Sequence, residues 1–338
     1  MREVVLVLGA GASVDFGLPT GHALSDQIAR LLNFEFDTFG QRVSGDPGIL
    51  RLISNRNNTS ALVNACQKLA RALPFSHSID DALYKFGDDR ALIEIGKVAI
   101  GHCIMIAESK SWLLKLTANP INARKSLLSA KEHWLFRVLK AIQTNRRSSE
   151  LLSAFEGLSI INFNYDRCVE HFLVHALQPA FGIDENDAAR AIAGLTMVHP
   201  YGSVGALPWQ QSPAYSVPFG NEPRQENLRK VGERIRTFTE QQAGGEEASA
   251  IKKLIGSAQC VVFLGFGYHA QNMILLGGGV RGEGPHVVGT TYGSSEPDIQ
   301  VFAERVRANF SRLRNPELVD SKSDCARFMQ DHALSLFG

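Results

Sequence analysis

The sequence predicts an α/β fold: a Rossmann-like parallel sheet with helices on both faces and a large inserted helical lobe. Five short apolar, β-branched runs, at 3–8, 158–163, 195–199, 259–264 and 286–290, read as strands. None alternates polar with apolar residues, so each reads as a strand covered on both faces, the mark of a parallel sheet with crossover helices. The first run leads directly into Gly9-Ala10-Gly11-Ala12-Ser13. A strand that feeds a glycine turn is the usual opening of a dinucleotide-binding βα unit.

The gap after the first strand is too long for one crossover. Between Asp15 and Gly157 the text is helical at Leu62 to Leu73, Asp80 to Phe86, Ala91 to Leu116 and Ser126 to Thr144. We read 21–150 as an inserted, mostly helical lobe within a single domain spanning 1–338. Pro74, Pro120 and the Gly-Asp pairs at 45 and 87 mark helix boundaries inside it. A second insertion is expected at 205–258, a Pro/Gly/Ser-rich loop through Pro223 followed by a charged helix from Arg224 to Gln242. The Gly277 to Pro285 segment reads as a loop before the fifth strand.

Composition bounds the function classes. With 338 residues and 44% hydrophobic content the chain can bury a full α/β core. A formal net charge of +1 offers no global basic field for nucleic acid. Val4 to Leu8 is too short for the apolar region of an export signal, and no apolar run approaches the roughly 18 residues that span a bilayer. No membrane partner is expected. Cys66, Cys103, Cys168, Cys260 and Cys325 are scattered, with no CxxC pair. They fit reduced thiols in a bacterial-type cytoplasm and exclude a cysteine zinc ribbon; no metal is expected.

The chemistry is concentrated at strand ends, where open parallel sheets hold their ligands. At Gly9 to Ser13, backbone N–H groups at a helix N-terminus can meet a pyrophosphate. The third glycine of GxGxxG is missing, with Val14 in its place, so a tight turn that binds nothing is the competing reading. No Gly-Lys-Ser/Thr follows, which argues against a Walker loop. The second constellation is Asn164-Tyr165-Asp166, with Glu170 after it. Asn164 can donate and accept hydrogen bonds, and so can hold a ribose hydroxyl and a water together. Asp166 either orients it or caps the following helix. The third is Val198-His199-Pro200-Tyr201-Gly202-Ser203. His199 is the candidate general base, a histidine near its reference pKa of about 6.5, against the alternative of a structural hydrogen-bonder.

Taken in order, these motifs resemble the sirtuin-like superfamily, especially its divergent bacterial branch seen in antiphage defence. That branch carries GAG[AS]S, G-[IL]-P, NYD with a Glu four residues on, a strand ending in HGS, and FLGF. The counterparts are Gly9 to Ser13, Gly17-Leu18-Pro19, Asn164-Tyr165-Asp166 with Glu170, Tyr201-Gly202-Ser203, and Phe263 to Gly267. Ser78-Ile79-Asp80-Asp81 looks like the branch's "SIDxF/L" helix, and Leu318-Val319-Asp320 through Asp324-Cys325 like its last loop, which borders the adenine.

The resemblance implies NAD as substrate, held by Gly9 to Ser13, Pro19, Thr20, Gly202, Ser203, Gly265, Gly267, His269, Asn272, Thr290, Asp324 and Cys325. It implies cleavage of the nicotinamide–ribose bond, with Asn164, Asp166, His199 and Tyr201 as the catalytic set. Two departures bear on this. Protein-deacylating sirtuins carry Asp-Phe-Arg after G-[IL]-P and a four-cysteine zinc module; here Thr20-Gly21-His22 follows and no cysteines pair, which argues against deacylation. The HGS histidine is replaced by Tyr201, with His199 two residues earlier and so on the same strand face. Either His199 serves as base, directly or through a water, or Tyr201 contributes only a hydrogen bond.

Three functions remain open on this reading. One is an effector that depletes NAD when infection triggers it. Another is a catalytically silent NAD or ADP-ribose binding module, and the last a scaffold with a vestigial turn. The chain shows no sensor or ATPase domain of its own, so the first implies a homo-oligomer or a separately encoded HerA-type ATPase as trigger.

Overall fold

The structure is a computed structural model that describes residues 3–54, 56–117, 120–144, 146–210, 215–242, 244–277, 284–310, 317–318 and 322–337. The expected loop at 278–283, part of the Pro-rich loop at 211–214, and Val319 and Asp320 lie outside the described residues.

In chain order the strands are β1 (Val4–Leu8), β2 (Glu35–Phe36), β3 (Arg42–Ser44), β4 (Leu158–Asn162), β5 (Thr196–Val198), β6 (Cys260–Leu264), β7 (His286–Gly289) and β8 (Glu317–Leu318). β2 and β3 form a small antiparallel hairpin. The other six make one sheet in the order β5-β4-β1-β6-β7-β8, every pair parallel. Counted by appearance in that sheet, the order is 3-2-1-4-5-6, the doubly wound dinucleotide-binding order. The chain winds outward from β1 through β4 to β5, then returns to β6 beside β1 and winds the other way. The carboxyl ends of β1 and β6 therefore flank the switch point, where such sheets open a crevice.

Burial of every residue of β1 and β6 explains their unalternating sequences. Successive side chains serve opposite faces. Val5 and Val7 join one core with the helices Gly21–Leu32, Thr59–Ala72 and Arg90–Lys110, while Val4, Leu6 and Leu8 join the other with Trp134–Gln143, Cys168–Phe181 and Cys325–Phe337. The expected lobe at 21–150 thus contributes helices to both sheet faces.

The five expected strands occur at 4–8, 158–162, 196–198, 260–264 and 286–289. Strands β2, β3 and β8 were not expected, being too short to carry a pattern. The expected helix 126–144 is two, Pro120–Ser129 and Trp134–Gln143. The charged helix from Arg224 is also interrupted, into Gln225–Arg234 and Phe238–Gln242. The break buries Ile235 and lets the Arg236 N–H donate to the Tyr201 carbonyl at 2.9 Å. A tertiary contact thus outweighs local helix propensity. Among the described residues no helix is long and apolar enough to cross a membrane.

Candidate functional site

A cleft of about 700 Å³ lies along the carboxyl edge of the sheet, across the switch point. Its volume falls in the range of small-molecule and cofactor sites. The Gly9-Ala10-Gly11 turn forms its centre, facing Gly265 and Gly267 from the β6 end. Contact between the two turns is close: a Cβ at Gly265 would sit 2.1 Å from the Ala12 nitrogen, and Gly265 has φ of 55°. Only glycine allows that approach.

After Gly9 the chain forms a short 3-10 helix, Ala10–Phe16, and not the start of an α-helix. Gly9 N–H donates to Leu264 O, Gly11 N–H to Gly265 O and Ala12 N–H to Gly9 O. Any anion contact made by the turn therefore does not fall to these three amides. Carbonyls of the same stretch are held from the helical insertion. Trp134 Nε1–H donates to Ala12 O at 2.7 Å and Trp112 Nε1–H to Asp15 O at 2.9 Å. Gly17, at φ 86°, ends the turn. Pro19 and Thr20 then line the cleft, and Thr20 Oγ1 accepts from Ala23 N–H to cap the helix Gly21–Leu32.

Asn164 follows β4 and reaches across to the turn. Its Nδ2 donates to Gly9 O and to Ser13 Oγ, both at 2.9 Å. Both amide protons are thereby committed, and what Asn164 can offer a ligand is its carbonyl oxygen. Asp166, buried on the same side, accepts from Cys168 N–H at 3.0 Å and from Ser13, so it caps the next helix and also lines the cleft. Burial raises its pKa above the ordinary carboxyl range, against the lowering effect of those hydrogen bonds.

His199 does not line the cleft. It sits behind Asn164, with Nδ1 donating to Asn164 O at 3.1 Å and Nε2 to Glu170 Oε1 at 2.9 Å. With an acceptor at each nitrogen the ring is suited to the imidazolium form. Burial, the largest influence, opposes that charge, but Glu170, the Asn164 carbonyl and Asp166 together outweigh it and raise the pKa. A same-face position on the strand did not bring the imidazole to the cleft, because β5 ends at Val198 and the chain turns. Tyr201 does line it, fully buried, its hydroxyl donating to Asn272 Oδ1 at 2.6 Å. Burial pushes its pKa far above the ordinary phenol value, leaving it a hydrogen-bonder.

Among the other expected contacts, Ala12 and Ser13 are buried behind the turn, and Ser203 is also off the cleft. Gly202 packs elsewhere: with φ 71°, its Cβ would lie 2.0 Å from Arg234 O, in the second insertion. His269, Asn272 and Thr290 line the cleft, as do Asp324 and Cys325 at the head of the last helix. Thr290 Oγ1 accepts from Gly265 N–H at 2.8 Å, tying the β7 end to the β6 turn. The Cys325 thiol is pushed up to about 12 by burial, so it is no nucleophile at neutral pH. Beside His269, Tyr268 is the only non-glycine with positive φ (50°) among the described residues, held by Arg305 Nη1–H on its carbonyl at 2.9 Å. Such strained positions cluster at ligand sites.

Asp80, part of the Ser78-Ile79-Asp80-Asp81 motif, also lines this cleft. It lies in the short helix Ile79–Lys85, whose Ser78 cap accepts from Asp81 N–H at 3.1 Å. The helix aims Asp80 into the cleft, where its Oδ1 accepts from the Tyr165 hydroxyl. Burial pushes its pKa up to about 6 despite that hydrogen bond. Asp15 also lines the cleft, on the Asp324 side. The sequence signal for Asp80 was the Ser-Ile-Asp-Asp run; Asp15 had none.

No metal-holding group of His, Cys, Asp and Glu occurs among the described residues. Comparison with known proteins finds no matching family model and no matching curated protein.

Proposed function

We propose that the cleft binds NAD+ and hydrolyses its nicotinamide–ribose bond. The observation that carries this reading is a cleft at a dinucleotide-type switch point with Asn164 clasped to the glycine turn and the Asp80 carboxyl beside it. The dinucleotide would lie across the sheet edge, nicotinamide riboside toward β4 and adenosine toward Thr290. In the reaction nicotinamide leaves with the bonding pair, a water oxygen bonds to the ribose C1′, and the water's proton passes to a carboxylate. The products are nicotinamide and ADP-ribose. Asn164 Oδ1 would accept from a ribose hydroxyl or the water, and Asp80, with a pKa near the working pH, would take the proton. Asp166 would add negative charge opposite the oxocarbenium-like transition state.

The resemblance extends this reading to an antiphage effector in a bacterial cytoplasm, acting as a homo-oligomer or under a separately encoded HerA-type ATPase. A second reading, a silent NAD or ADP-ribose binding module, is favoured by one observation. The histidine is turned away from the cleft onto Glu170, and Tyr201 is committed to Asn272.

Incubating the purified protein with NAD+, alone and with its genomic neighbour, while following nicotinamide release separates the two. Release is expected, and Asn164→Ala should abolish it. Binding without release under every condition would leave the silent module.

A further inference from the structure

A second cavity, of about 660 Å³, opens between the first insertion and the helix Cys168–Phe181, and shares no lining residue with the cleft. Its other walls are the helices Pro120–Ser129 and Trp134–Gln143. Protein interiors close-pack, so a gap of this size beside a core has a cause. Small side chains supply it: Ala123 faces it from one wall, Ala176 and Ala180 from another. Leu116, Leu127 and Leu139 are buried along it and make an apolar floor, while Leu128 lines it 61% exposed. Charge in the lining is one-sided. Arg124 and Lys140, both exposed, are its cations, and no Asp or Glu is among its described lining residues. Ala118, Asn119 and Asn145, outside the described residues, are uncharged by type. His175 also lines the cavity, but burial pushes its pKa down to about 4, so at neutral pH the ring is an uncharged wall.

We propose that this cavity binds a medium-chain fatty carboxylate, its tail on the leucine floor and its head at Arg124 and Lys140. The volume lies within the roughly 300–1,000 Å³ of small-molecule sites. Leucine and alanine walls suit an unbranched alkyl chain, whose burial is favourable in proportion to its area. The exposed cations suit a single anionic head that stays in contact with water. A sugar or nucleotide would instead set hydroxyls and amides against leucine, where each unpaired polar group is costly. Of the two glutamines in the wall, Gln178 is already engaged, donating from Nε2 to Val174 O at 2.9 Å. The proposal is independent of the nucleotide reading of the cleft.

Titration calorimetry of the whole protein with hexanoate, octanoate and decanoate, each below its micelle concentration, tests this. One site per chain is expected, tightening about fourfold for each added methylene. Arg124→Gln combined with Lys140→Gln should weaken decanoate about tenfold and leave decanol binding unchanged. Both substitutions fall at exposed positions, so the fold should tolerate them. Ala123→Trp, at a half-buried position of the lining, should fill the cavity and abolish decanoate binding. No binding of decanoate, an affinity flat in chain length, decanol bound as tightly as decanoate, or binding that survives Ala123→Trp would each overturn the proposal. Sedimentation of the ligand-free protein reads the rival occupant. A dimer that Ala123→Trp dissociates would give the face to a second copy of the chain, and would overturn the proposal as well.

Discussion

At the residue scale, the proposed proton acceptor is Asp80, while His199, the histidine the sequence pointed to, is paired with Glu170 behind Asn164. Asp80 faces the cleft with a pKa pushed up to about 6, so it is largely ionised at pH 7 and loses its proton-accepting form as pH falls below that value. Asp80→Asn should slow nicotinamide release by about 10²- to 10⁴-fold and remove the acidic limb of the pH–rate profile. A limb that survives the substitution would take the proton-accepting role from Asp80.

His199 bears on stability through its pairing with Glu170. Its folded-state pKa lies above the ordinary histidine value of 6.5, through Glu170 and the Asn164 carbonyl. The stabilisation is therefore fully present below about pH 6.5, and is lost as pH rises through the folded-state value. In His199→Asn, urea midpoints measured across neutral pH should lose that part of the pH dependence. A profile unchanged from wild type would show that the Glu170 pair contributes nothing.

At the scale of elements, Arg167 joins the site to both insertions. Fully buried at the start of the helix Cys168–Phe181, it donates from Nε to Glu108 Oε1 at 3.1 Å, and from Nη1 to the carbonyls of Gly205 and Val217. Glu108 belongs to Arg90–Lys110, in the first insertion, and Gly205 and Val217 to the second. Removing one partner leaves the other charge buried and unpaired. Arg167→Met should cost about 3–5 kcal/mol, read from denaturant midpoints, and Glu108→Gln should recover part of it in the double variant. Additive losses would mean that the two side chains do not act as a pair.

At the scale of the molecule, the order β5-β4-β1-β6-β7-β8 puts residues from distant segments at one edge. If that edge holds NAD+, the ligand stabilises the whole fold by mass action, about 2.7 kcal/mol at a concentration a hundred times Kd. The thermal midpoint should rise with NAD+ and should not rise with it in Gly265→Ala, where the two turns cannot close. A midpoint insensitive to NAD+ at millimolar levels would count against the cleft as its site.

The sequence by itself determined the sheet and the edge at which the cleft opens. Val4 to Leu8, Leu158 to Asn162 and Cys260 to Leu264 are legible because a strand covered on both faces must be apolar throughout, a demand that each segment meets locally. The Gly9 to Ser13 turn and Asn164 are legible for a similar reason: glycine and asparagine at strand ends answer to backbone geometry nearby. Only the tertiary structure decided which polar groups face the cleft. His199 and Tyr201 stand two apart, yet Glu170 draws the imidazole behind Asn164 while Asn272 holds the phenol at the cleft. Asp80 arrives on a helix from the first insertion, and its pKa is set by burial among residues far off in the chain. The breaks after Ser129 and Arg234 were hidden likewise, since the second depends on contacts of Ile235 and Arg236 with another segment. Local chemistry writes strands and turns into neighbouring letters; side-chain direction and charge depend on partners that meet only when the sheet assembles.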